Sequence, residues 1–451
     1  MNVREINRVY FVGIGGIGMS ALARFFRERG AVVKGYDRTQ TELTLQLEQE
    51  EMDIHYTDDV ALLDQEAELV VYTPAIPAAH AELNWYRDNG YPVYKRSDVL
   101  QWITQAMHAV TVAGTHGKTT ISTMIAYLLR ETGYGCNAFL GGVSVNYNKN
   151  YWSSDNETAV VEADEYDRSF LKLHPDVAVL TAMDADHLDI YGTVADMEEA
   201  FIQYTRNIKP GGTLLARHGL HRAADLEGAN RLTYSLQNDA ADVYASNIVQ
   251  RKGGYIFNVS GEGWELEEVH LPIGGMHNVE NAVAAIGVTR LLNIDGEKVK
   301  EALSGFKGIR RRFEYVLKSD RIVFIDDYAH HPEELAALLK SAKQLFADRR
   351  CVVVFQPHLF TRTRDLAEGF AQSLDMADEA ILLDIYPARE LPIEGVTSQM
   401  IVERMQQKAT ILSKEGLLEY VKAAPLDLFI TAGAGDIDKM VLLIKELLEK
   451  K

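Results

Sequence analysis

The sequence predicts an α/β protein built from three domains with largely parallel sheets. Short apolar runs of strand length alternate with helical patterns along almost all of its 451 residues. A chain of this length exceeds what one ordinary hydrophobic core accommodates. The alternation falls into three blocks, without a short-period repeat or a low-complexity segment. We place the predicted domains at residues 1–107, 108–308 and 309–451.

Each block opens on a strand that is followed by a helix or a loop with polar residues. The first block has predicted strands at residues 9–13, 31–36 and 69–72, a helix at 19–29 and a proline-containing loop at 73–77. The second has strands at 109–113, 158–162 and 177–181, helices at 118–131 and 197–207, and a helix starting near Asn278. Its segment 214–272 is short and alternating with glycine turns, which predicts β-rich structure. The third has strands at 321–325, 351–355, 380–384 and 428–431 and a terminal helix at 437–450.

Composition excludes several classes of protein. The chain is 47% hydrophobic and 25% charged, as globular proteins are, and its formal net charge is −19. Because general nucleic-acid binders need a positive field, no nucleic-acid partner is expected. The two cysteines, Cys136 and Cys351, lack metal-ligand spacing and suggest a reducing cytosol. No apolar run has the length of a membrane span, and the first strand leaves no room for a signal peptide, so we expect a cytoplasmic protein without a membrane partner.

A glycine-rich loop in the second block is typical of phosphate binding. It joins a predicted strand to a predicted helix, so its backbone amides and the helix N-terminus face an anion. Lys118 would bridge the β- and γ-phosphates, and Thr119 would bind Mg²⁺. The alternative is a plain turn with a solvent-facing lysine, and Val112 stands where the general pattern has a first glycine. The predicted ATP-binding residues of the loop are Gly114, Thr115, His116, Gly117, Lys118, Thr119 and Thr120.

A second glycine-rich loop lies in the first block. Gly13, Gly15, Gly16 and Gly18 follow a strand and open a helix, and Asp37 ends the next strand at the spacing of the dinucleotide fingerprint. In that fingerprint the glycine amides hold a diphosphate and the acidic residue binds a ribose. Any diphosphate joined to a ribose can use the same groups. The motif alone therefore fits NAD and a nucleotide-linked substrate about equally.

Acidic residues follow two strands of the second block. Residues 162–165 are Glu-Ala-Asp-Glu, and residues 184–187 are Asp-Ala-Asp-His. Because the carboxyl ends of parallel strands meet at one edge of a sheet, these acids are expected beside the phosphate loop, where oxygen ligands suit Mg²⁺. Mg²⁺ rarely binds imidazole, so His187 needs a specific reason to be a ligand. Plain solvation is the alternative for acids in loops.

Further polar residues begin a helix of the second block and follow strands of the third. Asn278 and Asn281 lie one helical turn apart, where both amides could reach a base or a phosphate, or Asn278 could simply cap the helix. Residues 326–332 are Asp-Asp-Tyr-Ala-His-His-Pro and follow a strand. Arg362 and Arg364 come after the next strand and are suited to an anionic group, unless they pair with nearby acids.

Together these motifs resemble the Mur ligase family over essentially the whole chain, and most closely its alanine-adding branch. The runs Tyr-Pro-Ala-Arg-Glu and Gly-Val-Thr-Ser, in residues 386–398, are especially similar to that branch. The resemblance rests on residues 13–20, 114–120, 162–167, 184–187, 277–281, 310–313, 326–332, 355–364 and 386–398.

The resemblance implies a Rossmann-like N-terminal domain for the UDP of the substrate, a central P-loop ATPase domain, and a C-terminal Rossmann-like domain for the amino acid. It implies that ATP phosphorylates the carboxylate of UDP-N-acetylmuramate and that the amine of L-alanine attacks the acyl phosphate. A tetrahedral intermediate then expels phosphate, in cytoplasmic synthesis of peptidoglycan precursors. The implied cofactors are ATP and Mg²⁺. The sequence leaves an exchange between monomer and dimer open.

The resemblance also implies residue roles. Thr119 and Glu162 would bind Mg²⁺, and His187 a second Mg²⁺. His330 is the leading candidate for the base that takes the ammonium proton of alanine, because histidine titrates in the useful pH range. Lys118 would contact the phosphates, and Asn278 and Asn281 the nucleotide. Tyr328 and His330 would line the amino-acid end of the site. His358 and Arg362 would contact the reacting carboxylate or phosphate.

Two departures and three alternatives accompany this prediction. Sister ligases carry a carbamylated lysine in the helix after the Ala-Asp-His motif, but residues 188–208 contain no lysine here, which fits the alanine-adding branch. Leu359 and Phe360 stand where some alanine-adding enzymes have Arg and Tyr. The alternatives are a recycling ligase that joins a tripeptide to UDP-N-acetylmuramate, an NAD-dependent dehydrogenase, and a nucleotide-sensing switch.

Overall fold

The computed structural model describes residues 3–184, 188–251, 253–388 and 390–451. The chain divides into two compact units, each formed by several segments. The first unit comprises Met1–Asn247, Phe257–Val269 and Glu280–Ser304, and the second comprises Ile248–Ile256, His270–Val279 and Gly305–Lys451. None of the described helices combines the length and the apolar character that crossing a membrane requires.

The first sheet has five parallel strands in the order β3-β2-β1-β4-β5. The strands are β1 (Arg8–Val12), β2 (Val32–Tyr36), β3 (Asp53–His55), β4 (Leu69–Tyr72) and β5 (Val93–Lys95). The helices are α1 (Ile17–Glu28), α2 (Glu42–Gln49), α3 (Ala81–Asp88) and α4 (Arg96–Ala106). α1 forms here because Met19, Leu22 and Phe26 recur at helical spacing and are buried. The strand order reverses between β1 and β4, and the loop after β1 therefore lies where open α/β sheets bind ligands.

The second sheet has ten strands in the order β15-β14-β13-β12-β11-β10-β6-β9-β7-β8. The strands are β6 (His108–Ala113), β7 (Asn137–Ser144), β8 (Lys149–Trp152), β9 (Thr158–Glu162), β10 (Val177–Leu180), β11 (Thr213–Arg217), β12 (Asn230–Ser235), β13 (Val243–Arg251), β14 (Gly254–Gly261) and β15 (Trp264–Leu271). The helices are α5 (Lys118–Glu131), α6 (Leu188–Tyr191), α7 (Val194–Arg206), α8 (Met276–Leu291) and α9 (Gly296–Leu303). β6 pairs in parallel with β9 on one side and with β10 on the other.

The third sheet has six strands in the order β16-β17-β21-β18-β19-β20, parallel except for β16 at one edge. The strands are β16 (Glu314–Lys318), β17 (Val323–Asp327), β18 (Cys351–Phe355), β19 (Glu379–Leu382), β20 (Ala409–Ile411) and β21 (Leu428–Ala432). The helices are α10 (Pro332–Leu345), α11 (Phe360–Leu374), α12 (Gln399–Val402), α13 (Lys414–Ala423) and α14 (Asp438–Glu449).

The predicted fold class is confirmed, with one α/β sheet in each of the three blocks. The β-rich prediction for residues 214–272 matches β11 to β15, which extend the second sheet. The helix predicted to start near Asn278 is α8, which begins at Met276, so Asn278 lies inside the helix and the capping alternative does not hold. Its side-chain amide donates instead to the carbonyl of Gly274 at 2.6 Å.

Candidate functional site

The phosphate loop connects β6 to α5 in the geometry that anion binding needs. Gly114 and Gly117 have φ of +127° and +79°, backbone conformations that residues other than glycine rarely adopt. A Cβ on Gly114 would lie 2.7 Å from the backbone nitrogen of Ala182, because the loop packs closely against the chain that leaves β10. Lys118 is the first residue of α5, so the helix N-terminus points into the loop.

Of the acids in the second block, Glu162, Glu165 and Asp184 lie beside this loop, whereas Asp186 is outside the described residues. β6 pairs with β9, which ends at Glu162, and with β10, which ends at Leu180. The backbone N–H of Asp184, just beyond β10, donates to the hydroxyl of Thr115 at 3.2 Å. His116 is exposed, and its ring lies 3.7 Å from the Asp184 carboxylate. The parallel pairing therefore brings Glu162 and Asp184 to one edge of the sheet.

The Lys118 ammonium group donates hydrogen bonds to two oxygen atoms, one in the loop and one in Glu165. Its Nζ donates to the carbonyl of Gly114 at 2.7 Å and to Oε1 of Glu165 at 2.7 Å. The Lys118 side chain is 13% exposed and the Glu165 side chain 1% exposed, so this ion pair is largely out of water. The ammonium group is thus at the mouth of the loop with its charge already compensated, and an arriving phosphate has to compete with the carboxylate.

Thr119 and Glu162 bring together two oxygen atoms that could bind a metal ion. The Thr119 hydroxyl donates to Oε1 of Glu162 at 2.8 Å, and Oε2 of Glu162 accepts from the N–H of Gly141 at 2.9 Å. Burial raises the pKa of the Glu162 carboxyl, and the nearby Lys118 charge opposes that shift. A hydroxyl and a carboxylate beside a phosphate loop are the donors that Mg²⁺ prefers.

The predicted metal ligand His187 lies outside the described residues. Within the described part of the chain, no group of three or more His, Cys, Asp or Glu side chains is placed to hold a metal ion. The Thr119 and Glu162 pair therefore supplies only part of a coordination shell. Mg²⁺ commonly completes its shell with phosphate oxygens and water, and the donor set present here fits that behaviour.

Asn281, one of the two predicted asparagines, lies beside the loop. Its Oδ1 lies 2.9 Å from the position that a Cβ on Gly117 would take, so only glycine leaves room for the amide there. Both asparagines are buried. The Asn278 amide donates to the carbonyl of Gly274, just before its helix. The structure therefore brings Asn281 against the phosphate loop.

The glycine loop of the first sheet is shaped by Asp37. The carbonyl of Tyr36 accepts from the N–H groups of Gly13 and Ile14 at 2.8 and 3.0 Å. Oδ2 of Asp37 accepts from the N–H of Gly15 at 2.8 Å, and Oδ1 accepts from the N–H of Thr39 at 3.2 Å. In this structure the carboxylate fixes the loop itself, and its predicted contact with a ribose remains a prediction.

Arg96 lies at this loop without having been predicted. A Cβ on Gly18 would overlap the Arg96 guanidinium, which also lies 3.5 Å from the Asp164 carboxylate. Arg96 is the first residue of α4 and belongs to no motif, so only the fold brings it to the glycine loop. A cation at this position suits a diphosphate group.

Tyr328 and His330 follow β17 in the second unit. Their rings are 5.2 Å apart, and the Arg311 guanidinium lies 5.0 Å from the centre of the half-exposed Tyr328 ring. Nδ1 of His330 lies 3.0 Å from the carbonyl of Tyr328 and 3.3 Å from Oε2 of Glu334. Burial lowers the pKa of His330, while the Glu334 carboxylate opposes that effect.

His358 and Arg362 follow β18, and His358 lies near His330. The rings of His358 and His330 are 6.1 Å apart. Burial lowers the pKa of His358, and the positive charge of Arg362 adds to the effect. Nδ1 of His358 and Nη1 of Arg362 are buried, and neither atom has a hydrogen-bond partner among the described residues. Buried polar atoms without partners are rare in folded proteins, so these two nitrogens point to a ligand.

Two residue groups are thus assembled, one in each unit. Three models of the Mur ligase family match the chain in succession: the catalytic domain at residues 8–108, the middle domain at 112–289 and the glutamate ligase domain at 311–435. The UDP-N-acetylmuramate–L-alanine ligase of Cytophaga hutchinsonii is 45% identical, covering 100% of this chain and 99% of that protein. The chain belongs to the Mur ligase family.

Other Mur ligases give the same result. A UDP-N-acetylmuramate–L-alanine ligase of Porphyromonas gingivalis is 46% identical, covering 98% of this chain and 99% of that protein. The crystal structure of the UDP-N-acetylmuramate–alanine ligase of Thermotoga maritima superposes with a TM-score of 0.84 at 28% identity, covering 98% and 99% of the two chains. The three-domain α/β prediction and the resemblance to Mur ligases are therefore confirmed.

Proposed function

We propose that this Mur ligase joins L-alanine to the carboxylate of UDP-N-acetylmuramate, with cleavage of ATP. The full-length similarity to ligases that bear this activity in their names carries the proposal. A bare carboxylate is a poor acyl donor, and phosphorylation by ATP supplies it with a good leaving group. The phosphate loop after β6 supports the ATP part of the proposal, because its amides and Lys118 suit a triphosphate.

Lys118 and Thr119 serve the phosphoryl transfer in this proposal. The transfer brings a phosphoryl group towards a carboxylate, and the ammonium of Lys118 offsets the negative charge that accumulates there. Glu162 and Thr119 would hold Mg²⁺, which supplies further neutralising charge when bound. His187, outside the described residues, would serve a second ion. The amide of Asn281 lies where it can contact a bound nucleotide.

The cluster after β17 and β18 serves the amide-forming step. The lowered pKa keeps the His330 imidazole neutral at neutral pH, which a proton acceptor for the alanine ammonium group requires. Arg362 and His358 direct buried nitrogens at the reacting carboxylate or phosphate. Tyr328 lines the amino-acid end. The glycine loop of the first sheet, with Gly13, Gly15, Gly16, Gly18 and Asp37, takes the uridine diphosphate.

The domain boundaries and the location in the cell belong to the same proposal. The family matches are interrupted after residues 108 and 289, which supports domains at 1–107, 108–308 and 309–451. A precursor built on UDP is made where nucleotides are available, which supports a cytoplasmic enzyme. Exchange between monomer and dimer is a further part of the proposal, and sedimentation at several protein concentrations tests it.

Phosphate release with defined combinations of substrates tests the function. We expect release only when UDP-N-acetylmuramate, L-alanine, ATP and Mg²⁺ are all present, because the acyl phosphate forms on one substrate and is consumed by the other. Each of the other amino acids and a wall tripeptide should be compared with L-alanine. Preference for the tripeptide would indicate a recycling ligase, and equal release without any amine would indicate a nucleotide switch. Reduction of NAD would indicate a dehydrogenase.

Arg362→Ala is expected to lower kcat by at least about tenfold, the smaller end of what one charged hydrogen bond supplies. A guanidinium aimed at charge that grows during the reaction favours the transition state over the ground state. Arg364→Ala is the matched control, because Arg364 is exposed and paired with Asp365 at 2.7 Å. Calorimetry should show little change in binding of UDP-N-acetylmuramate. Much weaker binding with an unchanged kcat would make Arg362 a ground-state anchor instead.

A further inference from the structure

Helix α11 is capped by a carboxylate that comes from a different loop. The first N–H groups of a helix have no partner inside the helix, and a side chain just before the helix usually supplies one. Here that residue is Leu359, which has no polar group. Instead Glu390 accepts from the backbone N–H of Thr361 at 3.0 Å and from the Thr361 hydroxyl at 2.5 Å. A carboxylate at this end of a helix is also favoured by the helix dipole.

The turn before α11 has an unfavourable backbone conformation. Leu359 has φ of +70° and ψ of 136°, a combination that residues with a side chain rarely adopt. Such conformations persist only where the surrounding structure enforces them. The enforcing contacts come from Tyr386: its carbonyl accepts from Leu359 N–H at 3.0 Å, and its N–H donates to the carbonyl of Pro357 at 2.8 Å.

Side-chain contacts also stabilise the turn before α11. The ring of Tyr386 stacks on the ring of His358, with centroids 5.8 Å apart and planes 17° from parallel. His358 and Tyr386 also pair as a short parallel bridge. Together with the Glu390 cap, these contacts hold the turn on both sides of Leu359. The segment that holds it belongs to the Tyr-Pro-Ala-Arg-Glu run, which the proposed function leaves without a role.

The two side chains proposed to contact the reacting carboxylate or phosphate, His358 and Arg362, are carried by this turn. His358 comes directly before Leu359, and Arg362 comes directly after Thr361. Their buried nitrogens have no hydrogen-bond partners of their own among the described residues, so neither side chain is fixed through those atoms. The direction of Arg362 therefore depends largely on the backbone that carries it, and that of His358 on the backbone and on the stacked Tyr386 ring. A change in the turn would move both groups together.

We propose that Glu390 is a positioning residue that fixes the turn between β18 and α11 and thereby aims His358 and Arg362 at the reacting centre. This inference rests on the proposed function. Glu390 acts through Thr361 and need not touch substrate. Its effect is expected on kcat, because misplacing groups that act in the transition state slows the chemical step. The KM values for ATP and UDP-N-acetylmuramate should stay close to those of the wild type, since their phosphate loops lie in the first unit.

Two variants at Glu390 and one control measure this effect. We expect Glu390→Ala to lower kcat by about tenfold, well within the roughly 10²-fold that a small misplacement can cost. Glu390→Gln keeps an acceptor oxygen and should retain more activity. Glu394→Ala is the matched control, because Glu394 lies exposed in the same segment. If the wild type makes no product, the proposed function fails. If the wild type is active and Glu390→Ala matches the control, the positioning role fails.

A double-mutant cycle separates positioning from general weakening of the fold. In an Arg362→Ala, His358→Ala background the aimed groups are gone, so adding Glu390→Ala should lower kcat by less than about twofold. A further loss as large as in the wild type would overturn the proposal. Thermal unfolding is measured for every variant. If Glu390→Ala does not fold, Thr361→Val replaces it in the same cycle, since it removes only the hydroxyl that donates to Glu390.

Discussion

Lys118→Ala should lower kcat by about 10²–10³-fold, the usual cost of removing one preorganised electrostatic group. The ammonium group stands at the first residue of α5, between the Gly114 carbonyl and Glu165. No other lysine of the loop can replace it, because the loop has only this one. Phosphate release with all substrates present measures the effect. Lys149→Ala is the control, because Lys149 is exposed at 43% and pairs with Glu50 outside the loop.

The variant also leaves the buried Glu165 beside an alanine, so some loss of stability is expected together with the loss of rate. Adding Glu165→Gln to Lys118→Ala removes that charge and should restore the unfolding temperature without restoring kcat. Binding of UDP-N-acetylmuramate should persist in both variants, because its nucleotide is assigned to the glycine loop after β1. Turnover at the wild-type rate in Lys118→Ala would refute the assignment of the phosphate loop.

Gly114→Ala should destabilise the protein by about 2–4 kcal/mol, in the range of severe single substitutions. The added Cβ would lie 2.7 Å from the Ala182 backbone nitrogen, and the backbone there has φ of +127°. Gly133→Ala is the matched control, because Gly133 also has positive φ, +79°, but no atom lies within 4 Å of its added Cβ. The control should lose only the conformational part, about 1–2 kcal/mol.

Chemical denaturation of the three proteins measures these differences, and ATP binding is measured beside it. We expect Gly114→Ala to bind ATP much more weakly than Gly133→Ala, since relief of the overlap has to move the loop. Equal loss of stability in the two variants would show that the close approach of Gly114 to β10 contributes nothing. Unchanged ATP binding in Gly114→Ala would show that the loop has another function.

The phosphate site was largely predictable because its determinants are local. A strand, a glycine loop and a helix follow one another in the sequence, and parallel pairing then brings the ends of neighbouring strands together. For this reason the pattern placed the acids after β9 beside the loop, where Glu162 accepts a hydrogen bond from Thr119. Elements whose signal is interrupted were missed: β7 contains two adjacent glycines, and β8 is an edge strand of four residues.

The contacts that position the third-domain groups were not predictable. Glu390 reaches Thr361 across 29 positions of sequence, and no periodic pattern connects the two. The unfavourable φ of Leu359 is imposed by Tyr386 from the same distant segment, since leucine itself disfavours it. The capping alternative for Asn278 was not excluded by sequence, because its amide donates to the carbonyl of Gly274, which precedes the helix, and only the structure shows this contact.

The carboxylates in the phosphate loop have a consequence for which anions the loop accepts. The Lys118 ammonium and the Thr119 hydroxyl are each bonded to an acid, Glu165 and Glu162 respectively. A bare anion that takes over these donors leaves two carboxylates next to its own negative charge. A nucleotide that arrives with a divalent cation gives the displaced carboxylates a new counter-charge. We therefore expect the resting loop to bind a nucleotide that carries a divalent cation in preference to free phosphate or metal-free nucleotide.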